Sequence, residues 1–219
     1  MSRSSQRRLV LAAGMQRSGS TWLYNAARLI LSRQEPQVYG CWVDDFDPAR
    51  SDITPVTIVK IHSIDLGWAE RADVILTCHR DLRDVAASMR DMGWADDDNA
   101  VKRVTNARTC HEFWSKRADA DLAYSLIRER PTDAIVSIAE TLETRVSADQ
   151  ARQIAEAIDA LSAREPESRY DSVTLLHRQH RRHGARDRWK DSLDPELAQR
   201  IADENISWMI KRGYLAAAD

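Results

Sequence analysis

Gly14-Met-Gln-Arg-Ser-Gly19-Ser20-Thr21 is a loop sequence whose two glycines are separated by four residues. That spacing is typical of a phosphate-binding loop, in which backbone N–H groups and the start of a helix attract an anion. An apolar run at residues 9–13 precedes the loop, and apolar residues recur at helical spacing from Thr21 onward. The pattern predicts a strand, a tight loop and a helix. A glycine turn without a ligand is the alternative interpretation.

The loop lacks the lysine that a nucleotide-hydrolysing P-loop carries directly after its second glycine. Ser20 occupies that position, and the nearest cation, Arg17, lies inside the loop. The apolar run at 73–78 ends in Thr77 and Cys78, so it supplies no metal-binding aspartate. An ATP or GTP hydrolase is therefore poorly supported.

Strand and helix patterns alternate along the rest of the chain. The β-branched runs at 56–61 and 73–78 predict two further strands, and residues 134–138 predict a fourth. Continuous apolar strands suit a parallel sheet that is covered on both faces. We therefore expect an α/β fold, a P-loop-like three-layer α/β/α sandwich with a mainly parallel central sheet. Its ligand should lie at the carboxyl ends of the strands.

Helices are predicted at 82–92 and, as one long or broken helix, at 101–130. Ser147 and Gln150 fit a capping box, because each side chain can accept a backbone N–H at the start of the next helix. The last helix, 195–212, has proline at its first position and two cations in its final turn.

The composition is that of a globular chain. Its 219 residues are close to the length of one domain, so we expect a single domain over residues 1–219. A net charge of -2 provides no basic field for a nucleic acid. The absence of a long apolar run predicts a cytoplasmic protein without a membrane span. The three cysteines are widely spaced and indicate neither a disulfide framework nor a zinc site.

The segment Arg17-Ser-Gly-Ser-Thr-Trp22 resembles the loop that binds the 5'-phosphosulfate in sulfotransferases that use 3'-phosphoadenosine 5'-phosphosulfate (PAPS). For Trp22, packing in the core is an equal alternative to stacking on adenine. The resemblance implies that the donor is held by Arg17, Ser18, Gly19, Ser20, Thr21 and Trp22.

A second segment, His79-Arg80-Asp81-Leu-Arg-Asp84-Val-Ala-Ala-Ser88, is similar to the Arg-Asn-x-x-Asp-x-x-x-Ser element of the same family. Aspartate replaces the usual asparagine at position 81. The resemblance implies that Arg80 and Ser88 hold the 3'-phosphate. The alternative is a surface arginine paired with Asp81 or Asp84.

A third segment, Arg182-His183-Gly184 through Trp189-Lys190, is similar to the family's basic loop near the carboxyl end. Its match is degenerate, because His183 replaces a lysine, and Asp187 and Arg188 replace Gly and Asp. The resemblance implies that Arg182, His183 and Gly184 close over the doubly phosphorylated adenosine. A solvated basic face is the alternative for this run.

Lys60-Ile-His62 follows the second strand, where cytosolic members of the family carry Lys-x-His with histidine as the catalytic base. The chemical requirements of sulfonyl transfer are consistent with this resemblance. The reaction needs an anchored phosphate, a cation for developing charge and a base for the acceptor proton. Arg17 suits the cation, and His62 suits the base because its ordinary pKa of about 6.5 leaves neutral imidazole near pH 7. Lys60 would support His62 from the same strand face. An ordinary polar histidine, with Glu140 or a loop aspartate as base, is the alternative.

The sequence thus predicts a sulfotransferase that moves a sulfonyl group from PAPS to a hydroxyl or amine, releases adenosine 3',5'-bisphosphate (PAP) and needs no metal. The acceptor class, whether small molecule, saccharide, lipid or peptide, stays open, as does the oligomeric state. A nucleotide or small-molecule kinase is the second hypothesis, and a non-catalytic nucleotide-binding module is the third.

Overall fold

A computed structural model of the chain describes residues 7–161, 170–177 and 185–217. A five-stranded parallel sheet forms its centre, with the strands in the order β2-β3-β1-β4-β5. The strands are β1 Arg8–Ala12, β2 Val38–Trp42, β3 Val56–Lys60, β4 Val74–His79 and β5 Ala120–Ala123.

Helices connect and cover these strands, and a short 3-10 turn, Val43–Asp45, follows β2. Within the described residues, none of the helices is long and apolar enough to cross a membrane. The helices are α1 Ser20–Leu31, α2 Pro48–Asp52, α3 Leu66–Arg71, α4 Leu82–Asp91, α5 Ala100–Ser115, α6 Tyr124–Glu129, α7 Pro131–Thr141, α8 Ala148–Ala160, α9 Trp189–Ser192, α10 Pro195–Glu204 and α11 Ile206–Lys211.

Neighbouring residues of β1 point to opposite faces of the sheet, and both faces are buried. Val10 packs with apolar residues of α1, α7 and α8 on one face, whereas Leu11 packs with Trp114 of α5 on the other. Residues in β3 and β4 are buried along their whole length. The expected three-layer α/β/α sandwich is therefore confirmed.

The position of β1 in the middle of the sheet decides where a ligand can bind. The chain leaves β1 through α1 to reach β2 on one side, and it later crosses from β3 to β4 on the other side. Loops that diverge in this way leave a crevice at the carboxyl ends of the central strands. The Gly14 to Thr21 loop begins at that crevice.

One predicted strand is wrong. Residues 134–138 lie inside α7, which begins at Pro131. Ala134, Ile135, Ile138 and Ala139 are buried, and this spacing places them on one face of a helix. The apolar run is short enough to fit either structure, and the packing of α7 against α1 and α8 decides for the helix.

Two predicted helices are divided in the structure. The region 101–130 contains nearly all of α5, then the strand β5 and helix α6. The last helix breaks at Asn205 into α10 and α11. Nδ2 of buried Asn205 donates to the carbonyl of Ile201 at 2.8 Å, and such side-chain bonds compete with a continuous helix.

The predicted capping box of α8 is confirmed and can be tested by its contribution to stability. The N–H of Gln150 donates to Oγ of Ser147 at 3.2 Å, and the N–H of Ser147 donates to Oε1 of Gln150 at 2.8 Å. We expect Ser147→Ala to lower the free energy of unfolding by about 1 kcal/mol. Urea unfolding measures this change. Ser147→Asp, which keeps an acceptor, is the control and should unfold like the wild type.

Candidate active site

The loop after β1 has a conformation that its glycines make possible. Gly19 has φ 91°, in the left-handed region that other residues adopt only with strain. A Cβ on Gly14 would lie 2.7 Å from Sγ of Cys78 and 2.8 Å from Cβ of Ser20. The loop therefore packs directly against the end of β4, and it turns sharply into α1.

The start of α1 presents backbone N–H groups to the crevice. The first intrahelical bond here runs from the N–H of Leu23 to the carbonyl of Gly19, at 2.9 Å. The N–H groups of Ser20, Thr21 and Trp22 precede it, and no side chain at the cap accepts from them in the described chain. A helix start of this kind, with its positive dipole end, attracts an anion.

The side chain of Ser18 points away from the crevice. Its hydroxyl donates to the carbonyl of Met15 at 2.6 Å and also contacts Cys78. Ser18 is fully buried and lies outside the cavity wall. Its side chain therefore stabilises the loop and is turned away from any ligand.

His62 is held in one tautomer by the same loop. Its Nδ1 lies 2.6 Å from the carbonyl of Gly14, and a carbonyl can only accept, so Nδ1 carries the proton. Nε2 then has the lone pair, and it faces the hydroxyl of Ser20 at 3.4 Å. Neutral His62 is thus oriented to accept a proton at Nε2.

Lys60 ends β3 and lies between the loop and Trp42. Its Nζ donates to Oγ1 of Thr21 at 2.6 Å and lies 5.5 Å from the centre of the Trp42 ring. The Trp42 ring also makes an edge contact with His62 at 5.1 Å. Lys60 and His62 therefore face the same crevice, as their spacing along the strand predicted.

The pKa values show how unfavourable this positive charge is without a ligand. Burial, reinforced by the charge of Arg17, lowers the pKa of Lys60 to about 7. Burial, followed by the charge of Lys60, lowers the pKa of His62 to about 3. Burial thus weakens the charged form of both groups in the ligand-free chain, although Lys60 can still carry its proton near pH 7, and a bound anion would shift both pKa values upward.

Arg17 joins the loop to the second motif. Its Nε donates to Oγ of Ser88 at 2.9 Å, and its guanidinium lies 5.2 Å from the Trp94 ring centre. Burial, and then the neighbouring charge of Arg80, lower the pKa of Arg17. Among the residues that the structure describes, neither Arg17 nor Lys60 forms an ion pair with a carboxylate.

Arg80 is buried beside the crevice, so it is not the surface arginine of the alternative interpretation. It does approach Asp84, with Nη2 3.5 Å from Oδ2, while Nη2 also donates to the carbonyl of Ala185 at 3.0 Å. The Tyr124 ring lies 4.2 Å from the guanidinium carbon. Nε of Arg80 is buried and has no hydrogen-bond partner in the described part of the chain.

The structure brings most of the predicted residues into one cavity of about 530 Å³. Trp22 lies on its wall and also packs against the core, so stacking on adenine stays a prediction beside the core role. The residues from the predicted set that line the cavity are Arg17, Gly19, Ser20, Thr21, Trp22, Lys60, His62, Arg80 and Ser88.

The third motif lies partly outside the described residues, which exclude Arg182, His183 and Gly184. The turn that follows, residues 186–188, belongs to the described part of the chain. Asp187 has φ 60°, which explains why glycine suits this position in the motif. Asp84 accepts from the N–H groups of Asp187 and Trp189, both at 3.1 Å, and so anchors the turn beside Arg80.

Several cavity residues were missed by the sequence analysis. Trp42 ends a strand that was not predicted, and Trp94 and Tyr170 lie in loops without a periodic pattern. Tyr124 follows the unpredicted β5. The carboxylate bases that remained open fit poorly: Glu140 is exposed and lies outside the cavity wall.

No protein-family profile matches the sequence, and no curated protein matches it as a relative. Solved structures do match over nearly the whole chain. Mouse sulfotransferase SULT7A1 complexed with PAP matches with a TM-score of 0.63 at 12% identity, over 99% of this chain and 91% of that one. The chain has a sulfotransferase fold.

Two further structures share this sulfotransferase fold. Retinol dehydratase in complex with retinol and PAP has a TM-score of 0.59 at 16% identity, over 97% of this chain and 84% of that one. Its complex with androsterone and PAP has a TM-score of 0.57 at 15% identity, over 99% of this chain and 84% of that one. At these identities the comparison establishes the fold, and the chemistry has to be argued from the site.

Lys60 gives this sulfotransferase-like site a measurable dependence on pH. Its pKa of about 7 in the folded chain lies below the ordinary lysine value of 10.5, so between these values mainly the unfolded chain holds the proton. The free energy of unfolding should therefore rise with pH across this window, by up to about 1.4 kcal/mol per pH unit. Lys60→Met should remove this rise.

The measurement is urea unfolding of the wild type and Lys60→Met at pH 7, 8 and 9. The difference between the two proteins isolates Lys60, because other titrating groups cancel. Lys102→Met, which removes an exposed lysine of α5, is the matched control and should keep the wild-type slope. Parallel curves for the wild type and Lys60→Met would contradict the lowered pKa.

Proposed function

We propose that residues 1–219 form a single sulfotransferase domain that transfers a sulfonyl group from PAPS to a hydroxyl or amine. The reaction releases PAP. We also propose a cytoplasmic location, which agrees with three cysteines that form no disulfide.

The observation that carries this proposal is a pair of cations at the start of α1, buried Lys60 and half-buried Arg17, which have no carboxylate partner among the residues that the structure describes. Buried charges in proteins are normally paired or bound to a ligand. Here the ligand must be an anion, because both side chains and the helix start are positive. His62 supplies a neutral base at the same place, which a simple anion-binding site would not need.

The residues present fit the phosphosulfate end of the donor. Arg17, the N–H groups of Ser20 and Thr21, and Lys60 would hold it. PAPS supplies an activated sulfonyl group and a phosphate as the leaving group. Arg17 and Lys60 stabilise the negative charge that grows on that phosphate, and because they are already in place no reorganisation is needed.

The second motif fits the 3'-phosphate. Ser88 accepts from Arg17 through its oxygen, so its own hydroxyl proton stays available for a phosphate oxygen. Arg80 offers a buried, unpartnered Nε. Arg182 and Gly184 lie outside the described residues, and their contribution stays a prediction.

His62 acts as the base at Nε2. Its pKa of about 3 belongs to the ligand-free chain, where burial and then the charges of Lys60 and Arg17 oppose protonation. A bound phosphosulfate offsets these charges and raises the basicity of Nε2. The hydrogen bond from Nδ1 to the carbonyl of Gly14 keeps the ring oriented while the proton is accepted, and it stabilises the resulting imidazolium.

The kinase hypothesis meets a specific difficulty at Thr21. In a P-loop kinase the hydroxyl at this position binds Mg²⁺, and the preceding lysine binds the phosphates. Here Nζ of Lys60 is 2.6 Å from Oγ1 of Thr21, so an ammonium group occupies the side of the hydroxyl that the metal would need. A non-catalytic nucleotide-binding module would differ from the proposed sulfotransferase only in leaving the acceptor unmodified.

We propose a small-molecule acceptor that carries an apolar ring. Support comes from the rings beside His62, where Trp42 contacts His62 at 5.1 Å and lies 6.5 Å from Tyr170. The related retinol dehydratase structures contain retinol or androsterone. A saccharide, lipid or peptide acceptor is the alternative.

Selective binding of PAP tests the proposal without knowledge of the acceptor. Calorimetric titration in EDTA should show tighter binding of PAP than of AMP, ADP or ATP, because only PAP carries the 3'-phosphate. A hydrogen bond to a charged group contributes about 1.5 to 3 kcal/mol, so Arg80→Ala should weaken PAP binding by roughly tenfold to 150-fold.

Arg90→Ala is the matched control for this titration, because Arg90 lies in α4, the helix that follows Arg80, and pairs with Asp97 outside the cavity wall. It should bind PAP like the wild type. Equal affinity for AMP and PAP, or tight binding of ATP only when Mg²⁺ is present, would reject the sulfotransferase and favour the kinase.

Removal of the base should separate catalysis from binding. His62→Asn keeps an N–H that can donate to the carbonyl of Gly14, but it has no basic nitrogen. Sulfonyl transfer, followed by mass spectrometry of acceptors incubated with PAPS, should slow by roughly 10²- to 10⁴-fold. The affinity for PAP should stay close to that of the wild type. Near-normal turnover in this variant would assign the base to another residue.

A further inference from the structure

A short turn after α11, residues 212–214, contacts both the backbone segment that contains Arg80 and the strand β5 that leads to Tyr124. Gly213 has φ 73°, a left-handed conformation that ends the helix. Arg212 and Tyr214, on either side of Gly213, therefore reach different neighbours. Both side chains are partly buried, and neither lines the cavity.

Tyr214 forms hydrogen bonds with residues on both sides of Arg80. Its hydroxyl shares a hydrogen bond of 2.7 Å with Nδ1 of His79, the residue before Arg80. Its carbonyl accepts from Nη2 of Arg83 at 3.1 Å. Arg83 in turn donates to both carboxylate oxygens of Asp81, the residue after Arg80, at 3.0 and 2.7 Å.

This arrangement gives a role to the aspartate at position 81. Asp81 also caps α4, since it accepts from the backbone N–H of Arg83 at 2.9 Å. A carboxylate can accept two parallel bonds from a guanidinium, whereas the asparagine found in the family motif offers one oxygen. Asp81 therefore suits a chain in which Arg83 connects this turn to Tyr214.

Arg212 forms an ion pair with a residue of strand β5. Its Nη1 pairs with Oδ2 of Asp121 in β5 at 2.7 Å, and Asp121 also accepts from Nε2 of buried His111 at 3.0 Å. Strand β5 leads directly into Tyr124, whose ring covers the guanidinium of Arg80. The turn thus fixes both the backbone around Arg80 and the strand that carries its aromatic neighbour.

We infer that the 212–214 turn positions Arg80, with Tyr214 and Arg212 as positioning residues for the nucleotide site. The inference rests on the proposed function, in which Arg80 binds the 3'-phosphate. The polar contacts of Arg80 with the motif and the loop are long, at 3.5 Å to both Asp84 and the carbonyl of Arg17. Apart from the bond of 3.0 Å from Arg80 to the carbonyl of Ala185, the shorter bonds around it belong to the 212–214 network, at 2.7 Å from His79 to Tyr214 and from Arg83 to Asp81.

The first experiment needs no ligand. The Nε–H group of Arg80 is buried and lies near the Tyr124 ring, so its NMR signal is shifted by the ring current; Arg80→Lys assigns the signal by its loss. Tyr214→Phe should move this signal toward the position of an ordinary arginine. Tyr39→Phe is the matched control, because it removes another buried hydroxyl, which bonds at 3.1 Å to the carbonyl of Asp45, far from Arg80.

The second experiment measures binding of PAP and AMP. Loss of one hydrogen bond of ordinary strength corresponds to roughly a twofold to tenfold change, so the PAP-to-AMP affinity ratio should fall by about this factor in Tyr214→Phe. AMP binding itself should be unchanged, as should the ratio in Tyr39→Phe. A merely structural role would lower the melting temperature without a change in this ratio.

Arg83→Lys is the second variant, since it keeps the charge but loses the paired bonds to Asp81. It decides the question if Tyr214→Phe does not fold. An unmoved Arg80 signal, or an unchanged ratio in a folded variant, overturns the inference. Failure of the proposed function looks different, because the wild type itself would then bind AMP and PAP equally while the Arg80 signal still reports the position of the side chain.

Discussion

Uncompensated positive charge is the constraint on which the rest of this site depends. Buried Lys60 and half-buried Arg17 have no carboxylate partners among the described residues, and burial lowers the pKa of Lys60 to about 7. Parallel β-strands and a loop packed against β4 hold these groups in place against their repulsion. The fold stabilises the arrangement through its apolar layers, and the charged end of the sheet remains ready for an anion.

The carbonyl of Gly14 connects the shape of the loop to the chemistry of the base. The same glycine is packed so closely against Cys78 that a side chain would not fit. Its carbonyl then defines the tautomer of His62 through a bond of 2.6 Å. Loop packing and the orientation of His62, the proposed base, are therefore not independent, because a shift of the loop moves the acceptor that orients the imidazole.

Patterns within single segments made most of the fold and the central site predictable. The loop at Gly14, the strand that ends at Lys60 and the arginine after β4 all lie where local periodicity and motif spacing placed them. Residues 134–138 were misjudged because a five-residue apolar run fits either a strand or a helix, and only packing against α1 and α8 decides.

Contacts between distant segments were beyond the reach of the sequence. The sequence does not predict strand β2, Val38–Trp42, because a glycine at its centre interrupts the β pattern. In the structure this strand is only partly buried. Trp42 was missed with it. Asp84 illustrates the same limit, since its bonds to the N–H groups of Asp187 and Trp189 join residues about a hundred positions apart. The inward turn of the Ser18 hydroxyl depends on Cys78 in another strand.

The bond of 2.9 Å from Arg17 to Ser88 joins the two regions that, in the proposed function, bind separate phosphates of one nucleotide. A ligand that occupies one of them also orders a side chain of the other, so the two binding free energies are thermodynamically coupled. A nucleotide with phosphates at both ends benefits from this coupling in a single molecule, whereas two separate monophosphates must each be localised from solution. The site therefore discriminates by the distance between charges as well as by their number.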